Sequence, residues 1–512
     1  MNIFHQAFDL HKQLKLTEAQ ELYEIFLDNN HNHSDALHLL GLIYYSQNQH
    51  IKAIELIQKA ISIKPHEIYY NSLGNVLKAQ NNLDEALKMY ETALVKNPDY
   101  AEASYNLANL LQEKNRLDEA MEMYAKSLLL NPNNETAFYN LGIILHAQNR
   151  YNEAILMYKK ALAINPNYID VYVNFGITLN AQNRVDEALL MYEKALFINS
   201  NNREAQWNKS FTLLLKGDLT EGFKLYEWRY STAQKRNFVQ PLWLNDTSLN
   251  GKTILIHTDQ GYGDTIQFCR YIEFFSKFNC NIIFEVEKPL LPLLSQIQGA
   301  IQFIEKGEKL PEFDFHCPLM TLPLAFKTDI RSIPAKKSYL SAKRNKVQEW
   351  SDRLGFTCKP KIGIVWSGNP SHNNDHNRTI ELAQILQYLP EGFEYISLQK
   401  EIRETDKDTL QNSKIRYFGD ELHDFSDTAA LCENMDFVIS VDTSIAHLCA
   451  ALGKETYVLL PFSPDWRWLL DRDDSPWYPT MRLIRQKEIG KWDFPFEEIL
   501  TILGNIRGKA YL

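Results

Sequence analysis

The chain predicts a helical repeat solenoid followed by an α/β region built in two halves. Prolines 65, 98, 132 and 166 recur at intervals of 33, 34 and 34 residues. Two sets of small residues keep the same beat: Ala53, Ala86, Ala120, Ala154 and Ala188, and Gly41, Gly74, Ala108, Gly142 and Gly176. From Lys252 the period changes, and short β-rich runs alternate with helical segments as in parallel doubly wound sheets.

At 512 residues the chain exceeds one ordinary core, so two to four domains are expected. With 45% hydrophobic and 23% charged residues it has an ordinary globular composition. The net charge of −10 argues against non-specific nucleic-acid binding but allows a local basic pocket. The six cysteines (269, 280, 317, 358, 432 and 449) show no CxxC or metal-ligand spacing and read as reduced core thiols. The N-terminus MNIFHQAFDLHKQ lacks a signal-peptide pattern, and no apolar run reaches the length of a span. A cytoplasmic protein without membrane insertion is expected.

Each repeat reads as two amphipathic helices, for example AEASYNLANLLQEKN followed by RLDEAMEMYAKSLLLNP. Glycine or alanine where the helices cross lets their backbones approach, and the proline ends the second helix. Ser200 takes the next proline position. The pattern resembles the tetratricopeptide repeat, with units at 1–33, 34–66, 67–100, 101–134, 135–168, 169–202 and a degenerate 203–232. In the last unit Gly222 and Arg229 replace alanines, so it reads as a capping repeat. The resemblance implies a right-handed solenoid over 1–232 with a concave groove. A linker, 233–251, follows, punctuated by Pro241 and Gly251.

Asn106, Asn140, Asn174 and Asn208 stand 34 apart at the sixth position of their units, on the helix that lines the groove in this family. A carboxamide both donates and accepts, so such a column can hold an extended polypeptide of any sequence. It is equally a feature of the repeat consensus. The column resembles the inner asparagine ladder of the protein O-GlcNAc transferases. Leu39 and Ser72 interrupt it, which places the expected grip toward the C-terminal half.

The α/β region divides into 252–345 and 346–512. In the first, KTILIHT, NIIFEVE and IQFIE read as strands, TIQFCRYIEFFSKF and KPLLPLLSQI as helices, and DFHCPLMTLPLAF as strand-to-loop. The stretch 327–359 reads as a crossover with one helix. In the second, KIGIVWSG, EYISLQK, IRYFG, DFVISVD, ETYVLLP and MRLIRQ read as strands, with ELAQILQYL, DFSDTAALCENM, TSIAHLCAALG and PFEEILTILGNI as helices. Two Rossmann-like halves facing a cleft are the architecture of the GT-B glycosyltransferases.

Ligands of open parallel sheets bind at the strands' carboxyl ends. Asp442 ends one strand; Thr443 and Ser444 open a helix, where free N–H groups suit a phosphate or a capping side chain. His447 follows one turn later, as a ligand contact or a structural histidine. Ser367, Gly368 and Asn369 end another strand and are donor-binding candidates, with Arg378 as the charge partner for a phosphate or carboxylate. Gln399 and Lys400 end the EYISLQK strand and are placed at the nucleotide. HNNDH (372–376) departs from the helical HExxH pattern, so no metal is expected. DRDD (471–474) reads as surface charge, and Asp465–Trp468 as either a donor-pocket wall or interdomain core. No Walker A or GxGxxG motif occurs.

The stretches GYGD, GIVWSGNPSHNNDHNRTI, VDTSIAHLCAALG and PDWRWLLDRDDSPWYPTMRLIRQ, in this order, resemble the heptosyltransferase-like family 9 glycosyltransferases over roughly 250–500. The resemblance is strongest to their repeat-fused relatives, which include flagellin transferases using nonulosonic acids such as pseudaminic acid. It implies an inverting, metal-independent enzyme. The family's glycine-aspartate pair matches Gly263-Asp264, which makes Asp264 the candidate catalytic base; the alternative is a helix cap. Gly261 and Gly263 would let the acceptor approach, and Gln260 and Gln267 would bind sugar hydroxyls. Asp259 is a weaker candidate base. The implied function is protein O-glycosylation at Ser or Thr from a nucleotide-sugar, with flagellin and a CMP-nonulosonic acid as the sharpest version. The alternatives are transfer to a saccharide or lipid acceptor, and a non-catalytic scaffold.

Overall fold

The computed structural model describes residues 3–230, 236–372 and 374–510. The start of the expected linker, 233–235, lies outside the described residues. Seven consecutive helix pairs come first: α1 (Ile3–Lys12) and α2 (Leu16–Asn29), α3 (Ser34–Ser46) and α4 (His50–Ile63), α5 (Glu67–Ala79) and α6 (Leu83–Lys96), α7 (Ala101–Glu113) and α8 (Leu117–Leu130), α9 (Glu135–Ala147) and α10 (Tyr151–Ile164), α11 (Ile169–Ala181) and α12 (Val185–Ile198), α13 (Arg203–Lys216) and α14 (Leu219–Tyr226).

The periodic residues have packing reasons. Ala53, Ala86, Ala120, Ala154 and Ala188 are fully buried. At Gly74 a Cβ would stand 2.6 Å from the Tyr90 ring, so glycine admits the aromatic of the paired helix. A further periodicity, unread in the sequence, sits in the turns within all the pairs after the first, whose turn has Leu14 at φ 59°. Asn48, Asn81, Asn115, Asn149 and Asn183 all have left-handed backbones, with φ of 60°, 63°, 57°, 60° and 58°. Asparagine tolerates this region, and Gly217 takes the equivalent turn in the last pair at φ 93°. Backbone bonds such as Gln49 N–H to Tyr44 O (2.9 Å) close each first helix.

The chain separates into two compact units, Met1–Thr178 and Leu179–Leu512. The expected solenoid ended at 232. The last repeat helices instead belong to the second unit: Leu214, Leu219, Phe223 and Tyr226 share one buried core with Ile266, Phe268, Trp466 and Trp477.

In that unit β1 (Thr253–His257), β2 (Asn281–Val286), β3 (Ile301–Glu305) and β4 (Phe315–Pro318) form a parallel sheet in the order β3-β2-β1-β4. A second parallel sheet has the order β6-β5-β7-β8-β9, from β5 (Lys361–Val365), β6 (Glu394–Ser397), β7 (Phe437–Val441), β8 (Thr456–Leu460) and β9 (Met481–Arg485). The helices are α15 (Tyr262–Phe268), α16 (Leu291–Leu294), α17 (Leu322–Ala325), α18 (Arg344–Leu354), α19 (Asp375–Arg378), α20 (Leu382–Leu386), α21 (Glu404–Gln411), α22 (Phe425–Glu433), α23 (Ser444–Ala451) and α24 (Asp493–Ala510). Strands covered on both faces read as continuous apolar runs; all five residues of β7 and of β8 are buried.

Some elements differ from expectation. TIQFCRYIEFFSKF is α-helical only up to Phe268, since Cys269–Lys277 continues as a 3-10 helix. IRYFG forms one bridge, Ile396 to Arg416, rather than a strand, and α21 was not anticipated. Leu242 of the expected linker bridges His316, and Trp243 N–H donates to His316 O at 2.9 Å. That short rung covers the outer edge of β4.

Candidate active site between the two sheets

In each sheet the chain reverses its direction of strand addition once, at β1/β4 and at β5/β7. Crevices open at the carboxyl ends of strands at such points. The loops after β1, β5 and β7 therefore meet, and with the loop after β8 they line a cavity of about 260 Å³. Gly261, Gly263 and Asp264 come from the first sheet; Asn369 and Arg378 follow β5; Asp442, Thr443, Ser444 and His447 follow β7; Asp465 and Arg467 follow β8. The start of α15 abuts the start of α23: a Cβ on Gly263 would lie 3.1 Å from His447 Cδ2 and 3.5 Å from Ser444 Cα.

Asp264 caps α15, its Oδ2 accepting the Gly261 N–H at 2.9 Å. Its Oδ1 accepts from Arg467 Nη2. Arg467 Nη1 also donates to Asp465 Oδ1 at 2.8 Å, and the guanidinium lies 4.3 Å above the Trp466 ring. The Asp264 side chain is 21% exposed. Burial raises its pKa, and the Arg467 charge opposes that rise. The aspartate is thus both a cap and a carboxylate facing the cavity.

His447 is 5% exposed and stacks on Trp468 with ring centroids 5.2 Å apart. Its Nδ1 is 2.9 Å from Tyr478 OH, and its Nε2 is 4.0 Å from Asp442 Oδ1. Burial, with Arg467, Arg270 and Arg378 nearby, holds the imidazole neutral by pushing its pKa well down. Asp442 is raised to about 6 by burial and by the Asp465 charge. Arg378 is fixed in place, Nη1 donating to Asp442 O at 2.8 Å and Nε to Asp375 Oδ1 at 3.4 Å. Asp375 is in turn held by Arg403. Gly368 makes room for this pair, since a Cβ there would lie 2.7 Å from both Arg378 Nη2 and Asp375 Oδ1.

Several expected site residues lie off the cavity. Gln399 is consumed by the loop after β5: its Oε1 accepts from Trp366 N (2.7 Å) and Ser367 N (3.1 Å), and its Nε2 donates to Ser367 Oγ at 2.9 Å. Ser367 and Gln399 therefore shape the loop, and Gly368 spaces it. Lys400 is exposed, with Nζ 3.3 Å from His423 O. Gln267 is fully buried, and neither end of its amide has a partner. Asp259 is committed to Arg229 Nε (2.8 Å) and Tyr230 OH (2.6 Å). In the Asp465–Trp468 block, Asp465 and Arg467 line the cavity while Trp466 and Trp468 are core. Asp375, Arg403 and Tyr478 were missed; nothing in their local spacing links them to the motifs they support.

The asparagine column is engaged within the protein. In the first unit Asn106 Nδ2 donates to Asn71 Oδ1 (2.9 Å), Asn140 to Asn109 Oδ1 (3.0 Å) and Asn174 to Tyr139 OH and Asp170 O (both 3.0 Å). In the second, Asn208 Nδ2 donates to Glu204 O at 2.9 Å. All four side chains are partly exposed. Among the described residues no cluster of His, Cys, Asp and Glu is arranged for a metal, and no helix is long and apolar enough to cross a membrane.

Tetratricopeptide-repeat family models match residues 34–67, 77–141, 136–168 and 157–189. Protein FlbA of Caulobacter vibrioides is 23% identical over 311 residues, 54% of this chain and 51% of FlbA. The protein O-mannosyl-transferase TMTC1 of Mus musculus is 33% identical over 96 residues, 18% of this chain and 10% of TMTC1. The chain thus spans about half the length of the first relative and a tenth of the second. Among solved structures, YrrB, described as a tetratricopeptide-repeat protein with an unusual peptide-binding site, matches 36% of this chain and 95% of its own at 22% identity and TM-score 0.33. MamA matches 31% and 95% at 22% identity and TM-score 0.30. The N-terminal part of the chain is a helical solenoid of tetratricopeptide repeats, followed by an α/β region with two parallel sheets.

Proposed function

We propose that the chain is a nucleotide-sugar-dependent glycosyltransferase of GT-B type whose repeats bind the polypeptide it modifies. The observation that carries the reading is the joining of four strand-end loops in one cavity, where a capping carboxylate, Asp264, faces a helix start and two guanidinium groups. The N–H groups opening α23 and the Arg378 fork suit the phosphate of a nucleotide donor. The oxygen of a Ser or Thr hydroxyl attacks the anomeric carbon of the sugar. Its proton passes to Asp264, and the bond to the nucleotide's phosphate oxygen breaks, with the electron pair leaving on that oxygen. Attack opposite the leaving group inverts the anomeric centre. In the first unit Asn106, Asn140 and Asn174, all partly exposed, are assigned to the polypeptide backbone, and in the second Asn208 is a further candidate. The heptosyltransferase-like motifs support flagellin and a CMP-nonulosonic acid as acceptor and donor, and the name of TMTC1 is in keeping with transfer to protein.

Thermal-shift measurements with CMP, UDP, GDP and ADP test the reading. A nucleotide at about 100-fold over its Kd adds roughly 2.7 kcal/mol to the native state and raises the melting point. Absence of a shift with all four at millimolar concentration defeats the proposal.

A further inference from the structure

We infer that Arg467 is a phosphate-responsive latch on Asp264, a positioning residue that holds the carboxylate as an ion pair and surrenders it when a nucleotide phosphate enters the cavity. The inference rests on the proposed donor chemistry of this site. Its ground is the unequal anchoring of two cations. Arg378 is pinned by a backbone carbonyl, Asp442 O, and by Asp375, itself tied to Arg403. Arg467 is held by side-chain carboxylates, Asp264 and Asp465, and by the face of Trp466. Side-chain rotation alone therefore frees it to take a new partner.

A phosphate offers more charge than one carboxylate and matches the guanidinium fork. Among the described residues that line the cavity, where Asp264, Asp442 and Asp465 stand against Arg378 and Arg467, Arg467 is the arginine held by side chains alone. Withdrawing Arg467 removes the charge that favours ionised Asp264, so the carboxylate's proton affinity rises as the donor arrives. A base paired with arginine is a weak one; the latch would make Asp264 basic only in the donor complex. The other groups that face Asp264 are Asp465 from the loop after β8, Asp442 and His447 from β7 and α23, His372 and Arg378 from the loop after β5, Asp259 from its own loop, and Tyr226 of α14.

Isothermal calorimetry of CMP binding to the full chain, in buffers of differing ionisation enthalpy across pH 4–7, reads the protons taken up. Wild type is expected to take up protons, with CMP affinity changing about tenfold across the window. Asp264→Asn should lose that uptake, and Arg467→Gln should lose most of it because Asp264 is already released. Arg467→Lys, which keeps the charge without the fork, should give an intermediate value and stands in if the glutamine variant does not fold. CMP binding with no uptake in wild type overturns the latch and leaves the donor reading intact. So does uptake in either Arg467 variant equal to wild type, which would trace it to the phosphate's own charge. If CMP, UDP, GDP and ADP all fail to bind, the donor reading falls and the latch with it.

Discussion

Replacing Asp264 with asparagine tests the proposed chemistry most directly, because it keeps the cap and removes only the proposed base. The amide oxygen of asparagine can still accept the Gly261 N–H that Asp264 accepts at 2.9 Å, so the start of α15 is kept. What is lost is the negative charge that pairs with Arg467, which retains its 2.8 Å bond to Asp465. Leaving a buried guanidinium wholly unpaired costs about 3–5 kcal/mol. With one carboxylate remaining, a loss on the order of 1–3 kcal/mol is expected, near the worth of one charged hydrogen bond. The variant should therefore fold with a lowered Tm. Removing a general base should lower kcat by about 10²–10⁴-fold, or roughly 3–5 kcal/mol of barrier. The assay is single-turnover release of nucleotide from the donor with polypeptide acceptor present. A folded Asp264→Asn protein with kcat within a few-fold of wild type would refute the base assignment, and Asp264 would then be a cap alone.

Other outcomes follow from neighbouring residues. Gly368→Ala places a Cβ 2.7 Å from Arg378 and Asp375, so it should displace Arg378 and weaken nucleotide binding by tenfold or more, about 1.4 kcal/mol, in calorimetry. Replacing Asn149, at φ 60°, with alanine should cost roughly 1–2 kcal/mol in urea unfolding, and glycine there should not. Asp442 is raised from 3.8 to about 6 by folding, so the native state binds the extra proton and stability falls as pH rises between these values. Asp442→Asn should remove that fall and gain up to about 3 kcal/mol over wild type at pH 7 relative to pH 4; parallel denaturation curves for the two proteins would contradict the shift. Alanine at Asn106, Asn140 and Asn174 together should weaken polypeptide capture in fluorescence anisotropy while leaving nucleotide binding unchanged.

The repeats were legible in the sequence because each one solves the same packing problem with the same residues. A glycine under Tyr90, a run of buried alanines and the prolines 65, 98, 132 and 166 impose a period of about 34 residues that needs no distant partner to be seen. The parallel sheets were legible for a related reason, since strands covered on both faces leave uninterrupted apolar runs. The short strand-end motifs also led to the cavity, because a parallel sheet exposes its carboxyl ends at one edge. Gly261, Gly263, Asp264, Asn369, Arg378, Asp442, Thr443, Ser444 and His447 do line it.

Only the tertiary structure decided which polar groups were left over for a ligand. Gln399, Ser367 and Gln267 have the right chemistry and the right neighbourhood in sequence, yet two of them brace a loop and the third is enclosed. The partners that set the behaviour of the site come from afar: Arg467 reaches Asp264 across 203 residues, and Tyr478 meets His447 across 31. The packing of the last repeat was likewise not legible, because α13 and α14 bury Leu214 and Phe223 in the core of the α/β region. Local sequence determines most of the helices and their turns, since those depend on bonds within a few residues. Which side chain is spent on another, and which still faces open space, depends on contacts between segments far apart in the chain, and these exist only once it has folded.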